Sequence, residues 1–180
     1  SNEVKVSAKY KISNKLTLGL ESESGKKTDD IGFLQKKDGE IHFGRRDINS
    51  VENSLDLNFN IDNYKYLSLR FRNFWSTANY DNVLFSLKND GMRELTDHSK
   101  LDFDPNTNFN LWNLDLNFDW WFSPGSTITL QYKNQIFNRD NESGLKYYKS
   151  LKNLFEFPVE HQLSLRINYL IDFNKLRRND

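Results

Sequence analysis

Apolar and polar residues alternate along most of this chain with a period of two. In residues 3–12, Val4, Val6, Ala8, Tyr10 and Ile12 alternate with Lys5, Ser7, Lys9 and Lys11. Leu16, Leu18 and Leu20 follow against Thr17, Gly19 and Glu21. A third run sets Val51, Leu55, Leu57, Phe59 and Ile61 against Glu52, Ser54, Asp56, Asn58 and Asn60, and Ile41 and Phe43 extend it backwards. A fourth sets Leu67, Leu69, Phe71 and Trp75 against Ser68, Arg70 and Arg72. The fifth is the most regular: Trp112, Leu114, Leu116, Phe118, Trp120 and Phe122 alternate with Asn113, Asp115, Asn117 and Asp119. A sixth has Ile128, Leu130, Tyr132 and Ile136 against Thr129, Gln131 and Lys133. The last has Leu163, Leu165, Ile167, Tyr169, Ile171 and Phe173 against Ser164, Arg166, Asn168 and Asp172. Successive strand side chains point to opposite faces, so each run predicts a strand with one apolar and one polar face.

The connections alternate too. Residues 13–15, 62–65 and 123–126 carry the Ser, Asn, Asp, Pro and Gly of tight turns. Long polar segments near residues 25–40, 89–108 and 138–160 read as loops, the last holding a short helix within residues 145–157. Pro105, Pro124 and Pro158 all fall between runs, where no ladder donor is needed. The expectation is one all-β domain over residues 1–180, an antiparallel up-and-down meander. Short turns at one end and long loops at the other are the pattern of a transmembrane β-barrel.

A soluble sheet also alternates, and the alternative is a soluble β-sandwich whose sheets cover each other. Run length favours lipid. Globular strands have a mode of about 5–6 residues, whereas tilted membrane strands need about 9–11. Trp112 to Phe122 spans about 34 Å along a strand, and a tilt near 45° projects this to about 24 Å. That is close to the roughly 25 Å apolar band between aromatic girdles. Trp112, Leu114, Leu116, Phe118, Trp120, Phe122, Leu163, Leu165, Ile167 and Tyr169 are therefore expected to face lipid. Arg70, Arg72, Asp115, Asp119, Lys133 and Arg166 are expected to face the lumen, with Lys5, Lys9, Glu21 and Asp56.

Composition narrows the partners. Hydrophobic residues make up 37% and charged residues 28%, and 25 basic residues balance 25 acidic ones. Such balance leaves no electrostatic footprint for nucleic acid. The chain has no cysteine, which excludes disulfides, thiolate metal sites and a Cys nucleophile. It opens on Ser1-Asn2 with no visible signal peptide, as expected of an internal segment, a processed chain or a tag remnant.

Several short stretches carry a family resemblance. They are Gly44-Arg45-Arg46-Asp47 with Asn53-Ser54-Leu55, Leu67-Ser68-Leu69-Arg70 with Trp75, and Asn106-Thr107-Asn108-Phe109-Asn110. Phe122-Ser123-Pro124-Gly125-Ser126, Tyr132-Lys133-Asn134 and the Ser164-to-Tyr169 stretch complete the set. Their order and spacing, from about Gly32 to Leu176, resemble the C-terminal β-barrel region of a Bacteroidota outer-membrane family, the domain of unknown function 5916. In that family a domain like a family-nine carbohydrate-binding module precedes the barrel. The resemblance implies a Gram-negative outer membrane, contact with membrane lipid, a role as pore, transporter or surface scaffold, and further barrel strands N-terminal to Ser1. Glycan or other outer-membrane components are further partners it suggests. It implies no reaction and no catalytic residues.

The residues themselves offer little chemistry. His42, His98 and His161 belong to no spaced ligand motif and are expected in loops or at strand ends. Neither a nucleophile elbow nor a phosphate loop occurs. Asp115 and Asp119 share a face but stand about 13 Å apart along a strand, beyond the about 5–9.5 Å of glycosidase carboxylates. No enzyme activity and no cofactor are expected. Asp102, Asp104 and Asn106, with Asn108, have part of a calcium-loop spacing, although Thr107 replaces the turn glycine. Arg45 and Arg46 should point to opposite faces, one of them paired with a carboxylate. In the sandwich alternative, Trp75, Tyr80 and Trp121 would offer a sugar-stacking surface.

Overall fold

The computed structural model describes residues 1–37, 39–88, 90–96 and 101–171. It contains β1 (Asn2–Lys11), β2 (Leu16–Lys37), β3 (Glu40–Asn60), β4 (Lys65–Leu87), β5 (Arg93–Thr96), β6 (Thr107–Ser123), β7 (Ser126–Asp140), α1 (Tyr147–Leu154) and β8 (Glu160–Asn168). All strands join one antiparallel sheet in the order β1-β2-β3-β4-β6-β7-β8, with β5 beside the far end of β4. This is the expected up-and-down meander. The sheet is open, and β1 and β8 are its edges.

The three tight turns lie at one end of the sheet, each with a local cause. In the first, Ser13 Oγ accepts from the amides of Lys15 (3.2 Å) and Leu16 (3.1 Å). In the second, Asp62 accepts from the Tyr64 amide (2.8 Å) and from Lys65 Nζ (3.1 Å). Those bonds, the amide first, hold the Asp62 carboxyl below its ordinary pKa. In the third, Gly125 has φ +73°, and a Cβ there would lie 2.5 Å from Leu170 Cδ2.

The opposite end differs from the expectation. Residues 25–37 are not a loop: β2 and β3 run on as a hairpin to Lys37 and Glu40, reaching 22 and 21 residues. β4 likewise extends to Leu87, 23 residues in all. Bulges between Lys27 and Asp30 and between Phe33 and Gln35 reset the alternation, so no period-two signal survives across them. Within the 89–108 segment, β5 forms a four-residue strand on β4 and β6 begins at Thr107. Asp172 and Phe173 of the last run lie outside the described residues, as does His98.

A hydrophobic core is nearly missing. Among the described residues the buried hydrophobics are Trp75, Leu84, Ile136 and Leu154. The buried polar residues are more numerous: His42, Asn73, Thr77, Ser86, Asn108, Asn110, Ser126 and Ser150. Burial of apolar area is the main stabilising term in water, and here it is concentrated beneath α1 and in the β2–β4 extension rather than behind the sheet.

Candidate functional site

The sheet's two faces are the features that could act. Strand register assembles the apolar face row by row. Tyr10, Leu18, Leu57, Leu69, Leu116, Tyr132 and Leu163 pair in sequence across seven strands. The next row holds Leu16, Phe59, Leu67, Phe118, Leu130 and Leu165. Lys65, Trp120, Ile128 and Ile167 follow towards the turns. There Trp120 meets Phe122 edge-on at 5.9 Å, Phe122 stacks on Tyr169 at 6.2 Å, and Lys65 Nζ lies 5.9 Å from the Trp120 ring. Leu163, Leu165, Ile167 and Tyr169 are 59–72% exposed. Nine of the ten residues expected on this face form its open surface. Trp112 differs, because it packs between Phe71 (4.1 Å) and Phe155 (4.9 Å).

The opposite face carries a cross-strand row of charge. Lys9, Gly19, Asp56, Arg70, Asp115, Lys133 and Gln162 pair in order. Arg70 Nε donates to Asp56 at 2.5 Å, Arg72 reaches Asp115 at 3.3 Å and Lys133 reaches its other oxygen at 3.8 Å. Asp119 accepts from Thr129 Oγ1 at 2.6 Å, and Arg166 stands in that row beside Thr129. Gln131 donates to Asn117 at 2.7 Å, and Tyr66 bonds Asn58. Arg70, Arg72, Asp115, Asp119, Lys133 and Arg166 share this face of the sheet. Alternating sign along a row lets each carboxylate face a cation, and three cations against two carboxylates leave the row mixed in sign. Each partly exposed pair contributes about 0–1 kcal/mol.

Above the apolar rows, the same face turns polar and is covered. Residues 141–159 strap back over it and carry α1. Beneath them runs a chain of hydrogen bonds in which every link donates in the same direction. Ser22 Oγ donates to Asn53 Oδ1 (2.8 Å), and Asn53 Nδ2 donates to Tyr147 Oη (2.9 Å). Tyr147 donates to Asn73 Oδ1 (2.7 Å), and Asn73 Nδ2 donates to Asn110 Oδ1 (3.0 Å). Asn110 Nδ2 donates to Ser150 Oγ (3.1 Å), and Ser150 donates to Asn108 Oδ1 (3.1 Å). Asn108 Nδ2 ends the chain on the Asp140 carboxylate (3.1 Å). Trp75 Nε1 joins at Asn108 (3.0 Å). Burial pushes the Tyr147 hydroxyl above its ordinary pKa, against the bond from Asn53. One sign of this network was available in the sequence: Asn108 and Asn110 continue the apolar parity of Trp112 and Leu114.

The remaining candidates are dispersed. Asp102 pairs with Lys37 (2.6 Å), Asp104 accepts the Asn106 amide (2.9 Å), and Asn106 accepts the Tyr80 amide (2.8 Å). Asn108 is spent in the buried chain, so the calcium-loop spacing does not form a cage. No metal-sized group of His, Cys, Asp or Glu occurs among the described residues. Arg45 and Arg46 both find carboxylates, Asp81 at 2.6 Å and Asp30 at 2.7 Å. His161 meets the Tyr132 hydroxyl at 2.8 Å. His42 stands near the start of β3 but is buried, at 2% exposure, where Ser86 and Gln35 flank it in register. The proposed stacking aromatics do not share a surface. Trp75 is buried under α1, Tyr80 holds Arg46 (2.9 Å), and Trp121 sits at the turn end on the other face.

The geometry defines a class: a single long-stranded antiparallel meander with one bare apolar face and one charge-laddered face. The chain belongs to the family described as Domain of unknown function (DUF5916), whose model matches residues 1–179. No curated protein matches it, and neither does any solved structure.

Proposed function

We propose that this chain is wall of an outer-membrane β-barrel, with its apolar face in hydrocarbon and its charge ladder facing a hydrated lumen. The supporting observation is how the apolar belt drifts across the sheet. On β1 the belt runs from Val4 to Ile12 and centres on Ala8. In register, Ala8 leads through Leu20, Leu55, Phe71, Leu114 and Asn134 to His161. On the last strand the belt runs from Leu163 to Ile171 and centres on Ile167, six residues beyond His161. Counting Leu55 to Ile61 on β3 and Trp112 to Phe122 on β6, the belt centres at Asn58 and Asn117 each lie three residues beyond that row, so the shift falls between β1 and β3 and between β6 and β8. From β1 to β8 the belt shifts by six residues, or roughly 20 Å along the strands over roughly 29 Å across them.

A belt level with a membrane crosses tilted strands on such a diagonal. The ratio corresponds to a tilt of about 35°, within the range of transmembrane barrels. At that tilt Leu114 to Phe122 covers about 22 Å of depth, near the apolar band of such barrels. In hydrocarbon an unpaired backbone group costs several kcal/mol, so both edges of this open sheet require partner strands. Those partners are the remainder of the barrel. The long connections lie on the extracellular side and the tight turns on the periplasmic side.

The test is electrophoretic and hydrodynamic. The protein should need detergent to stay monodisperse and should migrate differently when heated and unheated. A monodisperse, detergent-free protein whose mobility ignores heating would overturn the barrel, and saturable binding on a glycan array would then favour a soluble module.

A further inference from the structure

The strap has an outward face of its own. Around α1 the buried side holds Ser150 and Leu154, with Tyr147 turned into the network below. The opposite side presents Tyr148, 82% exposed, with Lys149 and Lys152. Phe155 follows at 53% exposure. The first turn of α1 has no acidic residue and the last carries Lys152. This crest begins where the apolar face stops being bare, because Phe155 touches Trp112, the uppermost apolar side chain that β6 places on that face.

Resting on the barrel reading, we infer that α1 is an interfacial anchor whose partner is the uncompensated phosphate of anionic lipid headgroups in the outer leaflet. Lysine ammonium groups are compact charges that meet phosphate without fixed geometry. Aromatic rings settle at the boundary between headgroup and acyl chain. A short helix with lysines and aromatics on its free side, pinned at the upper rim of a hydrocarbon belt, presents both at the required depth. Lys149 and Lys152 bind the phosphates, and Tyr148 and Phe155 enter the boundary layer. Each lysine near an anionic surface adds attraction that salt screens.

The chain has no cysteine, so single reporters can be placed cleanly. Leu165→Cys marks the belt and Glu156→Cys marks the strap, each carrying an environment-sensitive fluorophore in the whole protein. Reconstitution uses vesicles of phosphatidylcholine alone or of equal parts phosphatidylcholine and phosphatidylglycerol. The Leu165 reporter should emit from hydrocarbon in both. The Glu156 reporter should shift to the blue only with phosphatidylglycerol, and the shift should vanish in high salt and in the Lys149→Gln/Lys152→Gln protein. A Glu156 reporter indifferent to phosphatidylglycerol, beside a Leu165 reporter still in hydrocarbon, overturns the anchor and leaves the barrel standing. A Leu165 reporter in water overturns both.

Discussion

A methyl group at Gly44 would lie 2.7 Å from Tyr80 Cδ1 and 3.1 Å from both Leu34 Cδ1 and Leu84 Cδ2. Leu84 is fully buried, and Tyr80 is tied to Arg46, so neither neighbour can yield freely. Gly44→Ala is therefore expected to cost on the order of 1–3 kcal/mol by overpacking. A lower urea midpoint at unchanged slope would register it, and an unchanged midpoint would refute the close approach. Tyr147 is the complementary case, a hydroxyl whose removal leaves neighbours stranded. Tyr147→Phe deprives Asn73 Oδ1 of its donor and Asn53 Nδ2 of its acceptor. The cost is about 1–3 kcal/mol, the desolvation penalty of unsatisfied buried groups. The same hydroxyl sets an alkaline limit. Its folded pKa lies above the ordinary 10.0 because burial opposes the phenolate. The proton's contribution is then fully present below the unfolded value and is lost as pH rises through the folded one. Ultraviolet titration of the phenolate should show one tyrosine ionising late, together with release of the strap. A strap that opens below the ordinary phenol pKa would contradict this.

At the scale of the element, the strap depends on one apolar plug. Leu154 is fully buried under α1, and Leu154→Ala should cost about 2–5 kcal/mol of local stability. Hydrogen exchange should quicken in α1 and around Asn108 and Asn110, while belt amides such as those of Leu116 and Leu130 keep their protection. Uniform acceleration would mean that strap and sheet form one cooperative unit. The strap was visible in the sequence only as a short helical segment, since its partners are asparagines that local pattern treats as loop residues. The strands were visible wherever alternation ran unbroken, as from Trp112 to Phe122. They were hidden between Gly25 and Glu40, where two bulges reverse the parity and Asp29 takes a positive φ of 56°. Asn108 and Asn110 were hidden for another reason. Polar side chains at apolar positions break the pattern, although here they satisfy one another. The faces could be read because period two fixes which residues share a side. The charge row could not, because pairing Asp56 with Arg70 and Asp115 with Lys133 requires the register.

For the molecule as a whole, the decisive question is which solvent each face meets, and adjacent residues answer it. Leu69 lies in the central apolar row and Ser68 on the opposite face, between Asn58 and Asn117. In a bilayer, arginine at the midplane of the lipid face costs about 2–4 kcal/mol, falling towards the interfaces. Leu69→Arg should lose that amount, read from denaturant titrations of the protein refolded into micelles or vesicles. If the barrel reading holds, Ser68→Arg enters a hydrated, charge-mixed lumen and should stay within about 0.5 kcal/mol of the parent. Depth adds a second axis. Trp120 stands nearer the turn-side interface, so arginine there should cost less than at Leu69. Because the belt on the last strand lies six residues further towards the turns than on the first, positions of equal cost should follow that diagonal rather than the hydrogen-bonded rows. Tyr10 and Leu163 share a row with Leu69. In the barrel reading they belong to different depths, Tyr10 towards the tight turns and Leu163 towards the opposite end. A soluble sheet covered by another protein layer carries no such gradient, and penalties that track the rows would point to that layer instead of lipid.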